Sequence, residues 1–273
     1  MRTIKQVLIL LLVALVAGNI VTAIYRGSSD KNDPPTIVCD DTTLEVSLEE
    51  DTTAALLAGV TAYDPQDGDL TDRIIVAGVS KLISNNTAKV TYLVFDSDDN
   101  MATHIRRIRY VDYHKPYFTV DARLPLIYPQ GVEVTVTDRV GAVDKKDGNI
   151  SDRIRVSTLE ATADPEVYEI TVQVTNSLGD TAWLKLPVMM LGSDNQRPDI
   201  QLKEYLLYLE IGASFNPVDY LKTAQLADGT DIDLSQVKID GSVDTATVGE
   251  YRVTYTYEHE GSVGKAILTV VVL

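Results

Sequence analysis

The sequence predicts an all-β chain of three tandem β-sandwiches after an N-terminal transmembrane helix. Three observations lead to this prediction: a motif repeated after 80 residues, three segments that open on a proline, and one apolar run. Residues 62–76 read A-Y-D-P-Q-D-G-D-L-T-D-R-I-I-V, and residues 142–156 read A-V-D-K-K-D-G-N-I-S-D-R-I-R-V, with eight of fifteen positions identical. A gapless internal repeat of this length indicates tandem copies of one small domain.

The apolar run near the N-terminus predicts a membrane anchor. Residues 7–25 are almost wholly apolar, and nineteen residues rise about 28 Å as a helix, enough to cross a bilayer core. Basic residues in the preceding segment 1–6 predict that this end is cytoplasmic. A cleaved signal peptide is the alternative, because Val21-Thr22-Ala23 resembles a cleavage site. The first interpretation predicts a single-pass membrane protein with extracellular C-terminal domains, and the second predicts a secreted protein.

The three domains follow a polar linker at 26–34. Pro35, Pro116 and Pro198 each begin a similar extended segment, at spacings close to the 80-residue repeat. Proline is suited to the start of a strand because it cannot donate a ladder hydrogen bond inside a sheet. The predicted domains are therefore 35–114, 115–194 and 195–273.

Each predicted domain ends in two strands. Residues 89–95 (K-V-T-Y-L-V-F) and 103–111 flank a turn at 96–100, which is rich in Asp and Asn. The second copy repeats this order with strands at 168–175 and 182–190. The third has Y-R-V-T-Y-T-Y at 251–257 and then alternating apolar residues. Short strands in units of about 80 residues are typical of small β-sandwiches.

The first two units resemble bacterial Ig-like surface repeats. Their D-G-[DN]-[LI]-[TS]-D-R-I motif is similar to HYR-like units and to the domains of unknown function found beside them. The third unit, with G-x-Y-x-V-T-Y at 249–255 and an A-x-L-T-V-x-V ending, resembles the group-3 bacterial Ig-like domain. The resemblance covers about residues 35–273. It implies three Ig-like sandwiches, but the family includes adhesins, wall-associated enzymes and spacers, so fold does not decide function.

Composition excludes several classes of function. The net charge of −16 argues against nucleic acid as a partner. Cys39 is the only cysteine, so no intramolecular disulfide forms. No zinc-ligand spacing, G-x-S-x-G elbow or phosphate-binding glycine loop is present, and we expect no enzymatic activity and no cofactor other than calcium.

The candidate metal ligands are the four carboxylates of the first motif, Asp64, Asp67, Asp69 and Asp72. Oxygen ligands at this density are suited to Ca²⁺. The EF-hand spacing is not met, and the second copy places Lys145 inside the cluster. The alternative is a tight turn at Asp67-Gly68 whose flanking carboxylates accept hydrogen bonds from backbone N–H groups.

Trp183 is the only tryptophan and a candidate carbohydrate platform. Its neighbours Leu184 and Leu186 continue an inward row, so we expect Trp183 to point outward or towards the next domain. Packing at a domain interface or sheet edge is the alternative.

These observations predict a bacterial cell-surface protein. It would be anchored in the membrane through residues 7–25 and act in adhesion or as a structural spacer of the envelope. A polysaccharide-binding accessory module, with calcium dependence, is the competing hypothesis. The expected partners are the membrane and an extracellular protein or polysaccharide.

Overall fold

A computed structural model describes residues 33–273 except positions 41, 51 and 85. The predicted membrane span at 7–25 lies outside the described residues, as do residues 1–6. Within the described part, no helix combines the length and the apolar character needed to cross a bilayer. The described chain divides into two compact units, 33–112 and Tyr113–Leu273. Both units are built of strands, as the sequence predicts.

The first unit contains one β-sandwich with sheets β1-β3-β4 and β2-β7-β6-β5. Its strands are β1 Thr36–Cys39, β2 Leu44–Val46, β3 Val60–Asp64, β4 Gly68–Asp69, β5 Ile75–Val79, β6 Thr87–Phe95 and β7 Met101–Tyr110. A short helix, α1 (Thr53–Leu56), follows Thr52, whose side-chain oxygen accepts the N–H of Ala55 at 3.3 Å. This contact satisfies one free donor of the first helical turn.

The core of the first sandwich follows from the alternation along β6. Ala88, Val90, Tyr92 and Val94 point inward and are fully buried, because successive strand residues face opposite sides of a sheet. The Tyr92 hydroxyl donates to the Leu56 carbonyl at 2.6 Å. This hydrogen bond from a buried phenol therefore holds α1 against the sandwich.

The second unit begins with a sandwich of the same topology. Its sheets are β8-β10-β11 and β9-β15-β14-β12, with β13 also paired to β14. The strands are β8 Tyr117–Val120, β9 Ile127–Pro129, β10 Val140–Asp144, β11 Gly148–Asn149, β12 Arg155–Val156, β13 Glu160–Ala161, β14 Val167–Thr175 and β15 Thr181–Leu191. The 80-residue repeat is therefore structural: β10, β11 and β14 have the bounds of β3, β4 and β6 shifted by 80 positions.

The third sandwich completes the second unit with sheets β16-β18 and β17-β21-β20-β19. Its strands are β16 Asp199–Leu202, β17 Leu206–Leu209, β18 Leu221–Gln225, β19 Lys238–Asp240, β20 Gly249–His259 and β21 Ser262–Val272. The 3-10 turns of the described chain are Leu48–Glu50, Thr71–Arg73, Val136–Asp138, Ser151–Arg153, Pro217–Tyr220 and Leu234–Gln236.

Apolar residues connect the second and third sandwiches. Val271 of β21 belongs to the core of the second sandwich, and Val120 of β8 packs against the core of the third. Val167, Met189 and Ile267 form a small buried cluster of their own. Residues 113–273 thus share buried apolar surface across the junction, which explains their grouping as one compact unit.

Candidate functional site

The first Asp motif forms a hydrogen-bonded turn between β3 and β4. Asp64 is buried, and its Oδ1 accepts the N–H groups of Gln66 and Asp67, each at 2.8 Å. Gly68 follows with φ of +79°, a conformation that costs side chains strain and that glycine adopts freely. The predicted tight turn at Asp67-Gly68 is confirmed.

A second set of bonds joins this turn to the hairpin turn that follows β6. The Asp67 carboxylate accepts the backbone N–H of Ser97 at 2.6 Å and its hydroxyl at 2.7 Å. Asp69 accepts the N–H of Thr71 at 2.9 Å. Asp72 lies exposed in the 3-10 turn Thr71–Arg73. The structure therefore gives Asp64, Asp67 and Asp69 backbone N–H partners.

The second copy repeats these contacts. Asp144 accepts the N–H groups of Lys146 and Asp147, and Asp147 accepts the N–H and hydroxyl of Ser177. Burial alone would raise the pKa of Asp147, but the hydrogen bonds from Ser177 and Arg153 outweigh it and lower the pKa. The Arg153 guanidinium lies 2.5 Å from that carboxylate. The repeated motif thus connects two turns at one end of the first sandwich and at the same end of the second.

No group of three or more His, Cys, Asp or Glu side chains in the described ranges is arranged to hold a metal ion. The calcium site at Asp64, Asp67, Asp69 and Asp72 stays a prediction.

A cleft lies at the junction of the second and third sandwiches. Its volume is about 620 Å³. Trp183 on β15 forms part of its wall and is 60% exposed, while Tyr117 at the start of β8 is 37% exposed. Val271 and Leu273, at the end of the chain, contribute apolar surface. The prediction that Trp183 points outward is confirmed.

The aromatic residues of the cleft have fixed relative positions. Tyr117 meets Tyr208 edge to face with ring centroids 5.9 Å apart, and the His114 ring lies 6.1 Å from Tyr117. The Tyr208 hydroxyl accepts the backbone N–H of Phe118 at 3.0 Å. Burial raises the pKa of Tyr208 to about 12, so the phenol is neutral at physiological pH. These contacts hold the rings in place before any ligand arrives.

Polar groups border the apolar surface. Glu250, His114, Lys115 and Thr181 line the cleft. The Glu250 carboxylate also accepts a long hydrogen bond of 3.4 Å from the N–H of Lys185. An apolar cavity with a few convergent polar groups is the usual form of a small-molecule or oligomer binding site.

Ion pairs cross the junction of the second and third sandwiches. Glu169 of the second sandwich binds Lys185 at 2.8 Å and also Arg252 of the third sandwich. Hydrogen bonding from Lys185 lowers the pKa of Glu169, burial opposes this, and Arg252 lowers it further. Glu166 pairs with Arg197 at 2.6 Å. These pairs and the shared apolar core fix the two walls of the cleft relative to each other.

Residues 203–272 match the family model described as "Bacterial surface protein, Ig-like domain". The third sandwich therefore matches a bacterial surface Ig-like domain, in agreement with the resemblance of its closing motif. The HYR-like assignment of the first two units stays a prediction.

A curated relative matches a larger part of the chain. Over 203 residues the chain is 27% identical to the pesticidal crystal protein Cry22Aa of Bacillus thuringiensis. The alignment covers 71% of this chain but only 27% of that protein. The chain thus spans about a quarter of the length of the curated relative it matches.

Two solved structures match at lower identity. The M60 catalytic domain with two CBM51 domains from Clostridium perfringens ZmpB shares 13% identity with a TM-score of 0.24, covering 87% of this chain and 30% of that one. Human CDH23 EC21-23 shares 11% identity with a TM-score of 0.23, covering 87% and 99%. At such TM-scores we draw no conclusion from either.

Proposed function

We propose that this chain is a bacterial cell-surface adhesion protein that binds a polysaccharide in the cleft between its second and third sandwiches. The observation that carries the proposal is Trp183, a large aromatic side chain left 60% exposed on the wall of a cleft of about 620 Å³. Exposed apolar surface in a concave site commonly marks a place of interaction.

The chemistry of the cleft is suited to a sugar chain. A pyranose ring presents apolar C–H groups on its face, which pack on an aromatic ring, and hydroxyls at its edge, which need hydrogen-bond partners. Trp183 and Tyr117 supply aromatic surface, and Glu250, His114 and Lys115 supply donors and acceptors. Glu250 and Lys115 carry opposite charges, so the cleft offers both acceptors and donors to sugar hydroxyls.

The cellular location of the chain is also part of this proposal. The match of the third sandwich to a bacterial surface Ig-like domain supports a location outside the cytoplasm. We propose that residues 7–25 anchor the chain in the membrane and that the domains from residue 35 onward are extracellular. In this proposal the chain binds without catalysing a reaction, and its partners are the membrane and an extracellular polysaccharide.

A structural spacer is the second candidate. The ion pairs of Glu169 with Arg252 and of Glu166 with Arg197 favour it, because they stiffen the connection between two consecutive sandwiches. Stiffness alone does not require an exposed Trp183, however, so the cleft favours binding.

Co-sedimentation of the full chain with insoluble polysaccharides separates these candidates. Peptidoglycan, cellulose and chitin are the probes, and Trp183→Ala is the test variant. The adhesion proposal predicts that at least one probe retains the native chain and releases the variant. Equal behaviour of both chains with every probe would favour the spacer.

A further inference from the structure

The first sandwich contains a buried carboxylate oxygen with no partner. Asp64 is 1% exposed, and while its Oδ1 accepts two backbone N–H groups, its Oδ2 has no hydrogen-bond partner. A buried charged oxygen without a partner is costly, and in native structures it commonly indicates an ion or water.

The second copy shows how the same oxygen is otherwise satisfied. Asp144 corresponds to Asp64, and its Oδ2 accepts the side-chain N–H of Asn176 at 2.9 Å. The first copy has Asp96 at the position of Asn176, 80 residues earlier, and both side chains are buried. Because a carboxylate offers no amide donor, the replacement puts a second acid where the first needs a donor.

Both carboxylate oxygens of Asp96 act as hydrogen-bond acceptors. Its Oδ1 accepts the N–H groups of Asp98 and Asn100 at 2.9 and 2.8 Å, and its Oδ2 accepts the Asn100 side-chain amide at 2.8 Å. Both oxygens of Asp96 thus accept hydrogen bonds, and Asp96 has no donor to offer the buried Oδ2 of Asp64. A cation would complement both acids.

The residues around this pair are also more acidic in the first copy than in the second. Residues 64–69 and 96–100 carry six carboxylates and no basic residue: Asp64, Asp67, Asp69, Asp96, Asp98 and Asp99. The corresponding residues 144–149 and 176–180 carry three carboxylates and two lysines: Asp144, Asp147, Asp180, Lys145 and Lys146. Each copy also has one arginine at this end: Arg73 lies 3.7 Å from the Asp67 carboxylate, and Arg153 lies 2.5 Å from that of Asp147. The first copy still carries the more negative charge, and a negative field concentrates cations.

We propose that Asp64 and Asp96 bind a hard divalent cation, Ca²⁺, in the first sandwich. This proposal goes beyond polysaccharide binding and concerns another part of the chain. The pair differs from the cluster predicted from the sequence, because Asp64 supplies the buried oxygen without a partner and Asp96 stands where the second copy has the amide that satisfies it.

The expected affinity follows from the number of ligands. Ca²⁺ takes six to eight oxygen ligands, so two carboxylates leave most positions to water and backbone carbonyls. The dissociation constant should lie in the range of extracellular modules, about 10⁻⁴–10⁻³ M.

Calorimetry of the full chain tests the proposal. Millimolar CaCl₂ should raise the melting temperature of the first unit relative to EDTA, with NaCl at equal ionic strength as the control for screening. Asp96→Asn gives the first copy the amide found in the second. It should abolish the calcium response and raise the melting temperature in EDTA.

Asn176→Asp is the matched variant in the second copy. It places two acids together there and should create a calcium response in the second unit, weaker than that of the native first unit because Lys145 and Lys146 lie in the same loop. An equal calcium response of the native chain and Asp96→Asn would overturn the proposal. So would a native chain indifferent to calcium, because the buried oxygen would then be satisfied by water or a proton.

Discussion

Tyr117 and Tyr208 meet edge to face with ring centroids 5.9 Å apart, across the junction of the second and third sandwiches. The two residues lie on β8 and β17, which belong to different sandwiches. The geometry is a favoured one for aromatic pairs. Residues of both sandwiches form the cleft, so substitutions at the junction should affect both the proposed binding and the stability of the second unit.

The hydroxyl of Tyr208 should contribute to the stability of the second unit. Tyr208→Phe leaves the N–H of Phe118 without its partner, which at a partly buried position should cost about 1–2 kcal/mol of unfolding free energy. Urea unfolding followed by Trp183 fluorescence measures this directly, because the probe lies in the same unit. Tyr63→Phe, at an exposed position of the first unit, is the matched control and should leave the transition unchanged.

Acid should weaken the junction through Glu169. Its pKa is lowered below the ordinary 4.5, chiefly by Lys185, with Arg252 acting in the same direction against burial. A lowered pKa means that the stabilisation is present above the ordinary value and disappears as pH falls through the folded-state value. Unfolding midpoints of the second unit between pH 7 and about pH 3 should therefore fall less steeply for Glu169→Gln than for the native chain. Parallel curves would show that this ion pair does not contribute.

A β-branched side chain in place of Gly68 should destabilise the first unit. At φ of +79° a β-branched residue is strained although the surrounding space is open, so Gly68→Val should cost about 1 kcal/mol or more. Gly78→Ala is the control, because its surroundings are equally open and its φ is not in the left-handed region. The melting temperature of the first unit should fall for Gly68→Val and change little for Gly78→Ala.

The hydrogen bonds between the two turns of the first sandwich predict that Asp67 contributes more to stability than Asp72. Asp67→Ala removes both bonds to Ser97 and should cost about 1–2 kcal/mol. Asp72→Ala changes an exposed residue of the 3-10 turn and should be nearly neutral. Thermal unfolding of the two variants side by side distinguishes them. Equal losses would show that the motif acts through its overall charge.

The sequence predicted the β-sandwiches because the relevant signals are local. β-Branched and aromatic residues at 89–95 and 168–175 identified β6 and β14, and the Asp-Gly pairs identified turns where Gly68 and Gly148 have positive φ. The outward direction of Trp183 followed from the inward row beside it, which is a property of one strand.

The contacts that form the candidate sites were not predictable, because they join distant parts of the chain. Tyr117 and Tyr208 are far apart in sequence and meet only once two sandwiches have packed. The bonds between Asp67 and Ser97 likewise connect separate hairpins. The one signal in the sequence is that Asp96 stands at the position of Asn176. This difference points to a buried pair of acids only once the structure shows that Asp64 and Asp144 are buried.

Trp183 fluorescence gives the most direct test of the binding cleft, because the chain has no other tryptophan. Soluble oligosaccharides from whichever polysaccharide retains the chain should shift and change its emission in a saturable titration. Tyr117→Ala keeps the reporter and should weaken binding at least tenfold, while Tyr63→Ala, an equally drastic change in the first unit, should not. Saturable binding lost only in Tyr117→Ala is the result we predict. Emission that stays constant with every oligosaccharide, or that responds identically in both variants, would contradict a polysaccharide site in this cleft.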